Sequence, residues 1–458
     1  MIRQLTLYLA FAIGLGFVQE VHASAFYLNE HSVSSMGNAY AGAAAVAEDA
    51  TTVYFNPAGM TSLCPKGDLD YQSAFGAYLI FPSIRFQDDG STYNPCPPTV
   101  PPSILLGGNG HNAGEPALVG NAYFVQKYRC RGLATGLGIT SPFGLVTDYG
   151  HRWRGRYFAI RSALLTININ PAIAYRINNC WSIGAGFNVM YLHAKVTNAV
   201  DFGAILSCST GGVLGIPQEQ DGKAIIKGDS WGYGANAGIL YEPRCGTRIG
   251  LSFRSEIKHH ITGSESFKDI PEEIELVPPL AAVFQNTRAK ANATLPSIAE
   301  LSGYHELNSC WALLWDISWF KWKVFKRLRF RFSNEFQEDS EITLQWKNSL
   351  KYAIGTTYRP SSCLAYRFGL AYDQSPVRSR KLATPRVPDT DRIWLAFGTG
   401  YDYGPLHFDL AYIHIFTAKD AKIDKTGLEL PEDQFRGGLK GRWRSHLDLV
   451  GVQMIANF

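Results

Sequence analysis

The sequence has few charged residues and, after its first segment, no long apolar run. Charged residues make up 18% of the 458 positions, and the mean hydropathy is −0.08. After roughly the first 20 residues, no apolar run reaches the roughly 18 residues that a spanning helix needs, which excludes a bundle of transmembrane helices. The 43 Lys and Arg nearly balance the 39 Asp and Glu, so the charge argues against a nucleic-acid partner.

Signatures of common enzymes are missing as well. The sequence contains no His-Glu-x-x-His, no phosphate-binding Gly-Lys-Ser/Thr motif and no Cys-x-x-Cys pair. His259 and His260 could bind a metal, but adjacent residues of a strand point to opposite faces. We therefore expect no enzyme activity, no catalytic residue, no cofactor and no metal site.

Glycine and the aromatic residues are abundant, since the chain has 44 Gly, 26 Phe, 23 Tyr and 10 Trp. This composition suits strands with one apolar face and one face that contacts water.

The first segment of the chain is a targeting signal instead. Arg3 is followed by an apolar stretch at residues 5–18 and by Val21-His22-Ala23, the pattern that a signal peptidase reads. We predict a signal peptide over residues 1–23; the alternative, a membrane anchor, would need a longer apolar stretch.

Alternation of apolar and polar residues dominates the rest of the chain. Between residues 181 and 191, the odd positions are apolar or aromatic and the even positions are mostly Ser, Gly and Asn. Apolar and polar residues also alternate along the strands of a soluble β-sandwich, so the lengths of the connections must distinguish a sandwich from a barrel. We predict fourteen strands, at about residues 68–87, 116–128, 132–145, 157–177, 181–200, 230–243, 247–263, 293–307, 311–325, 340–359, 363–373, 390–404, 406–418 and 443–458.

The joins between these strands alternate in length. Short turns, for example at residues 178–180 and 308–310, alternate with long segments such as 88–115 and 201–229. An even strand number with short turns at one end and long loops at the other is typical of a bacterial outer-membrane barrel. A closed barrel also leaves no unpaired strand edge in lipid. The sequence therefore predicts an all-β fold, a 14-stranded antiparallel transmembrane β-barrel.

Residues 24–63 precede the first strand and do not alternate. They are rich in Ala, Gly and Ser, which favours short helices of small residues packed in the barrel lumen; the alternative is a disordered periplasmic tail. We divide the chain into a signal peptide at 1–23, a luminal plug at 24–63 and a barrel at 64–458. Hydrophobic residues recur at helical spacing at Met36, Ala39, Tyr40, Ala43, Val46 and Ala47.

An ordered series of motifs resembles the FadL/TodX family of outer-membrane transporters for long-chain fatty acids and other hydrophobic molecules. The series covers nearly the whole chain after the signal peptide. Its motifs are Ala-Phe-Tyr-Leu-Asn-Glu at 25–30, Met-Gly-Asn-Ala-Tyr-Ala-Gly at 36–42, Asn-Pro-Ala at 56–58, Ser-Pro-Phe-Gly-Leu at 141–145, Phe-Arg-Ser-Glu-Ile-Lys at 253–258, Leu-Ser-Gly-Tyr at 301–304, Asp-Gln-Ser-Pro-Val at 373–377 and Pro-Asp-Thr-Asp-Arg at 388–392.

The resemblance implies a barrel closed by an N-terminal hatch, with a kink in the third strand that lets substrate leave sideways into the outer leaflet. Gly144 matches the kink, and Pro142 removes a ladder donor there. The alternative is an ordinary glycine-rich strand filled by the plug. The predicted plug and gate residues are Asn56, Pro57, Ala58 and Gly144.

Two long loops are unusually apolar, and the resemblance implies that they capture the ligand. Loops normally stay polar because they face water, so we predict ligand contacts at Phe202, Leu206, Leu276, Leu280 and Phe284. The alternative is that the loops merely pack on each other above the barrel.

The resemblance also implies a basic residue at the ligand head group, for which we predict Lys347, and we include Asp373 in the same site. The family's second cation, an arginine, is not kept, because Ala194-Lys195 is followed by Val196, Thr197 and Asn198. This loss weakens the case for a carboxylate ligand, since aromatic hydrocarbons need no cation. The basic run at residues 321–331 would face lipopolysaccharide phosphates or remain a solvated loop.

The eight cysteines depart from the family. Five of them fall at short turns, where neighbouring turns are about 9–10 Å apart and cannot form disulfides with each other. We predict that these five bond to other envelope proteins, and that Cys96 and Cys208 bond to each other in the outer loops; the alternative is that they stay reduced. The five turn cysteines are Cys130, Cys180, Cys245, Cys310 and Cys363, and Cys64 lies where the plug meets the first strand.

These features together predict a monomer in a Gram-negative-type outer membrane, surrounded by outer-membrane lipids and lipopolysaccharide. Its ligand would be a long-chain fatty acid or an aromatic hydrocarbon, moved inward passively. The alternative function is a structural or adhesive barrel, disulfide-linked to the envelope, without transport. An outer-membrane lipase or deacylase would need a Ser/His pair, usually on a smaller barrel.

Overall fold

Fourteen antiparallel strands close into one barrel in the computed structural model. The structure describes residues 25–63, 71–93, 103–128, 132–428, 430–433 and 436–458, so the predicted signal peptide at 1–23 lies outside the described residues. The first strand pairs with the last, with Tyr78 opposite Gly451, and this pairing closes the sheet. No helix in the described part of the chain is long and apolar enough to cross a membrane.

The order and number of the predicted strands are confirmed. Five strands are interrupted and are given as two segments each. The strands are β1 (Tyr71–Asp88), β2 (Ala117–Tyr128), β3 (Leu133–Thr140 and Gly144–Asp148), β4 (Arg161–Arg176), β5 (Trp181–Asp201), β6 (Asp221–Arg244), β7 (Thr247–Arg254 and Ile257–Lys268), β8 (Thr287–Leu295 and Ile298–Glu306), β9 (Trp311–Phe320 and Arg327–Phe332), β10 (Ser340–Thr343 and Ser349–Tyr358), β11 (Leu364–Asp373), β12 (Arg392–Tyr403), β13 (Leu406–Thr417, followed by the short extension Ala421–Asp424) and β14 (Lys440–Asn457).

One predicted boundary is wrong by nine residues. The sixth strand begins at Asp221 rather than at 230, because the β5–β6 hairpin continues until Asp201 lies opposite Asp221. The basic run at residues 321–331 is also not a solvated loop. Its second half is a strand in which Phe330 points inward while Arg327 and Arg329 point outward and pair with Glu341 and Asp339.

The two faces of each strand carry different residues. In the first segment of β9, Trp311, Leu313 and Trp315 are exposed on the outside, whereas Ala312 and Leu314 are buried in the lumen. Apolar side chains on the outer face of a transmembrane barrel face lipid. The exposed aromatic and aliphatic side chains therefore form the membrane-facing surface rather than a set of separate binding patches.

The N-terminal segment folds into short helices inside the barrel, as predicted. All of residues 25–63 except Ser35 and Glu48 are buried. Ser32 caps the first helix, since its side chain accepts a hydrogen bond from the Ser35 N–H. The helices are α1 (Val33–Met36), α2 (Ala43–Val46), α3 (Thr52–Phe55) and the 3-10 helix Pro57–Ser62; the outer loops add α4 (Phe202–Ser209) and α5 (Pro278–Val283).

Glycines on the luminal face let the N-terminal backbone approach the barrel wall. A Cβ at Gly250 would overlap the carbonyl of Ala44, and one at Gly369 would overlap the backbone of Asn38. The Asn38 side chain in turn donates to the carbonyls of Thr356 and Phe368, at 2.8 and 3.2 Å. The high glycine content thus serves close contact between wall and N-terminal segment.

Candidate functional site

An apolar cavity of about 120 Å³ lies in the half of the barrel opposite the short turns. Strands β3 to β10, the N-terminal segment and the loop at residues 374–391 all contribute to its wall. Because nearly all of its wall is aliphatic or aromatic, it favours an apolar ligand. The bulkiest apolar lining residues include Leu145, Leu164, Leu192, Ile261, Phe330 and Leu344.

Phe26 forms the side of the cavity nearest the N-terminal segment. Its ring lies 4.9 Å from that of Trp322, 5.3 Å from that of Phe325 and 5.7 Å from that of Trp346. These aromatic contacts hold one bulky side chain between the cavity and the packed lumen beneath it.

The backbone around Phe26 is bonded to an interruption in β3. The Gly144 N–H donates to the Phe26 carbonyl at 3.0 Å, and the Leu28 N–H donates to the Pro142 carbonyl at 2.8 Å. Tyr27 and Phe143 are thereby paired as an isolated antiparallel bridge. The predicted break at Ser-Pro-Phe-Gly is present, and the first residues of the N-terminal segment occupy it.

The sheet between β2 and β3 stops at this break. The first segment of β3 pairs with β2 from Leu133 to Ile139. The second segment, Gly144–Asp148, pairs with β4, and within the described residues of these strands none of its members pairs with β2. The wall therefore contains a local unpaired edge directly beside the Phe26 backbone.

Asn56 ties the N-terminal segment to the barrel wall. Its side-chain amide donates to the carbonyls of Ala44, at 2.7 Å, and Ile239, at 3.0 Å, while its Oδ1 accepts from the Ala58 N–H at 3.1 Å. Asn56, Pro57 and Ala58 are all buried, and a Cβ at Gly238 would overlap the Asn56 side chain. The predicted Asn-Pro-Ala motif is therefore an attachment point.

The structure places the two predicted charged residues apart. Lys347 is exposed on an outer stretch, where its N–H donates to the Pro376 carbonyl, and it does not line the cavity. Asp373 is buried in the lumen, opposite Lys351 of β10. Lys351 is itself buried and lies over the Trp394 ring, 4.4 Å from its centre. The alternation of β10 points Lys351 inward with Ser349, a signal that our prediction missed.

Four of the five predicted loop residues come together. Phe202 and Leu206 of α4 pack with Leu280 and Phe284, and the rings of Phe202 and Phe284 are 4.9 Å apart. Leu276 is 70% exposed and stays outside this loop cluster. None of the five lines the cavity, so the cluster forms a separate apolar surface near the barrel mouth.

A further residue that sequence reasoning missed is Arg386, in the loop between β11 and β12. It lines the cavity and is buried, and its Nη1 donates to Ser162 Oγ at 3.0 Å. Nothing in the sequence of a polar, proline-containing loop indicates that it folds into the barrel.

The described turn cysteines keep free thiols. Cys180, Cys245, Cys310 and Cys363 are unpaired and at least partly accessible. Cys208 is disulfide-bonded, whereas Cys96, its predicted partner, lies outside the described residues, as do Cys64 and Cys130.

Comparisons with known proteins agree with this architecture. The sequence profile of the family described as "Outer membrane protein transport protein (OMPP1/FadL/TodX)" matches residues 16–458. The chain is 32% identical over 416 residues to a "Long-chain fatty acid transport protein" of Escherichia coli O6:H1, covering 86% of this chain and 87% of that protein. It is 28% identical to "Outer membrane protein P1" of Haemophilus influenzae, with 86% of each chain covered.

Solved structures share the fold. The crystal structure of a Pseudomonas aeruginosa FadL homologue superposes with a TM-score of 0.83 at 23% identity, covering 95% of this chain and 100% of that one. The toluene transporter TodX of Pseudomonas putida superposes with a TM-score of 0.62 at 16% identity, covering 89% of this chain and 94% of that one.

Proposed function

The chain belongs to the OMPP1/FadL/TodX family of outer-membrane transport proteins, and on that premise we propose that it takes up long-chain fatty acids or other hydrophobic compounds. The ligand would land on the outer loops, enter the apolar cavity and leave sideways through the barrel wall. The observation that carries this proposal is the position of Phe26, whose ring borders the cavity and whose carbonyl is bonded to the break in β3.

Capture begins at the loop cluster. Its buried centre is fringed by exposed apolar side chains, with Leu276 at 70%, Val213 at 80% and Ile216 at 57% exposure. Such a fringe on an outer loop offers an apolar ligand a landing surface. The ligand then moves from this surface to the cavity in the barrel mouth.

Binding in the cavity is driven by removal of the ligand from water. Each buried CH2 group contributes about 0.8 kcal/mol, so an alkyl chain of several carbons binds without directional contacts. The cavity is also lined by Phe26 of the N-terminal segment, so a ligand in the cavity would contact that segment directly.

Release requires a way out that the filled lumen does not offer. Residues 25–63 occupy the lumen and act as a plug, which corresponds to the division of the chain at residue 63. A displacement of Phe26, Tyr27 and Leu28 would break the bridge to β3 and join the cavity to the unpaired edge of the wall. The ligand then diffuses laterally into the outer leaflet, down its concentration gradient.

A second candidate function is attachment to the envelope. Four free thiols lie at the short-turn end of the barrel, where an oxidising compartment favours disulfide bonds with neighbouring proteins. In that case the barrel would be an anchor, and it would bind no hydrophobic ligand.

Uptake of a radiolabelled long-chain fatty acid by cells that lack their own transporter separates the two. We expect uptake by the wild-type protein and its loss in Ala291→Trp, because Ala291 is buried in the cavity wall and an indole would fill the cavity. Leu313→Trp is the matched control, since Leu313 faces outward with 47% exposure, and it should transport normally. No uptake by wild type, or full uptake by Ala291→Trp, would refute the cavity route.

A further inference from the structure

Two pairs of aromatic side chains mark the edges of the lipid-facing band on strands β5 and β6. Trp181 stacks on Tyr241 near the short turns, with ring centres 4.3 Å apart. Ten residues further along β5, Tyr191 contacts Trp231 with ring centres 5.3 Å apart. Ten residues of a strand tilted by about 40° rise about 25 Å, the height of the apolar band of an outer-membrane barrel. Aromatic girdles lie at both edges of such a band, so Tyr191 and Trp231 mark the level of the outer-leaflet head groups.

A basic patch lies directly above this level, on the outer face of strands β5 to β9. Its five members are exposed, and the alternation of burial along the strands places them on the outside: Lys195, Lys227, Arg288, Lys290 and Arg331. Lys195 lies four residues beyond Tyr191 and directly opposite Lys227, and Lys290 lies directly opposite Arg331. Like charges directly opposite each other destabilise a sheet, so the outer wall carries two repulsive pairs.

The register of the strands joins the two pairs into adjacent rows. One row crosses strands β5 to β8 and consists of Lys195, Lys227, Ser264 and Arg288. The adjacent row places Thr262 of β7 opposite Lys290 of β8, which in turn lies opposite Arg331 of β9. Neighbouring strands are about 4.8 Å apart, so the first row spans about 14 Å. The hydroxyl groups of Ser264 and Thr262 are short and can donate hydrogen bonds, so they leave room for an anion between the long basic side chains.

The carboxylates of this part of the wall do not neutralise the patch. Asp229 accepts a hydrogen bond from the Tyr191 hydroxyl and lies 2.7 Å from His193 Nδ1. The acids of the β9–β10 hairpin that form salt bridges do so with Arg327 and Arg329. Within the described residues, none of the five patch cations forms a salt bridge. A group of exposed cations of this kind attracts anions.

We propose that this basic patch binds the phosphate groups of lipopolysaccharide in the outer leaflet. Lysine and arginine are the side chains that bind phosphate best, and a phosphate between two opposed cations would remove their repulsion. The acyl chains below the phosphates would lie against the exposed rings of Trp231 and Tyr233. The patch faces outward, so this inference is independent of the molecule that the barrel transports.

Binding of lipid A to the purified protein in detergent tests the inference. Native mass spectrometry gives dissociation constants for lipid A and for lipid A from which the phosphates have been removed. The variant is Lys195→Gln with Arg331→Gln, which takes one cation from each repulsive pair. We expect wild type to bind the dephosphorylated lipid at least about tenfold more weakly than lipid A, and the variant to bind lipid A at least about tenfold more weakly than wild type does. Without lipid, the variant should unfold at the temperature of wild type or above it, because both repulsions are gone.

The matched control is Lys223→Gln with Arg244→Gln, which changes the net charge equally. Lys223 is paired with Asp269 at 3.1 Å, and Arg244 lies at a short turn on the other side of the membrane, so this control should bind lipid A as wild type does.

Four outcomes would overturn the inference. Equal weakening of lipid A binding in the variant and the control would reduce the effect to net charge. Equal binding of both lipids by wild type would show that the phosphates are not recognised. Inorganic phosphate that raised the unfolding temperature of wild type as much as lipid A does would make the patch a site for free phosphate. A lower unfolding temperature of the lipid-free variant would assign the cations a structural role.

Discussion

Replacing Asn56 with alanine should weaken the docking of the plug in the lumen without unfolding the barrel. The Asn56 side chain makes three hydrogen bonds, to the carbonyls of Ala44 and Ile239 and from the N–H of Ala58. The bonds to Ala44 and Ala58 lie within the plug, so the bond to Ile239 is the one of the three that joins the plug to the wall. It contributes about 1 kcal/mol, and its loss in Asn56→Ala should raise the undocked population about fivefold.

Planar-bilayer conductance measures this change, because an undocked plug leaves a water-filled lumen. We expect short opening events to be about fivefold more frequent in Asn56→Ala than in wild type, and we expect a permanently open pore after deletion of residues 24–56. Gly238→Ala should resemble Asn56→Ala, since a Cβ at Gly238 would overlap the Asn56 side chain.

Gly120→Ala is the matched control for Gly238→Ala. Gly120 is exposed, and its Cβ would lie 3.7 Å from the nearest atom, the Gly76 carbonyl oxygen, so its conductance should equal that of wild type. If Asn56→Ala and Gly238→Ala opened no more often than Gly120→Ala, the hydrogen bond of Asn56 to the wall would not hold the plug, and the reasoning would be wrong.

Three further outcomes are expected. Gly144→Ile should block uptake while the barrel still assembles, since even a Cβ there would lie 2.9 Å from Leu28 Cδ1; normal uptake would argue against the side exit. Phe284→Asp should raise the ligand concentration for half-maximal uptake several-fold, because Phe284 packs against Phe202 in the loop cluster, and an unchanged concentration dependence would exclude loop capture. Changing Cys130, Cys180, Cys245, Cys310 and Cys363 to Ser should remove high-mass species from non-reducing electrophoresis of native envelopes, while a wild-type protein that runs only as a monomer would contradict envelope linkage.

Much of the fold was predictable because it depends on local patterns. Alternation and turn spacing sufficed for the number and order of the strands, and Pro142 marked the break in β3. The start of β6 was missed because residues 221–229 carry several charges and pair with β5 as an extension of the hairpin, which no local period indicates.

The site was less predictable because it depends on contacts between distant parts of the chain. Phe26 contacts residues more than 100 positions away in the sequence. Arg386 reaches the cavity and Ser162 because its loop folds into the barrel. The head-group lysine expected at Lys347 was placed from the resemblance alone. Every second residue of β10 points into the lumen, and this alternation would have identified Lys351 as the buried lysine of that strand.

The most direct test of the transport route is to lock Phe26 and its neighbours to β3. Tyr27 and Phe143 are opposed in a bridge whose hydrogen bonds flank the pair, a geometry with Cα atoms about 4.5 Å apart and within reach of a disulfide. Fatty-acid uptake is measured for Tyr27→Cys with Phe143→Cys, and for Tyr27→Cys alone, before and after reductant. The account predicts no uptake by the oxidised double variant and recovery on reduction, with the single variant active throughout; full uptake by the oxidised double variant would contradict it.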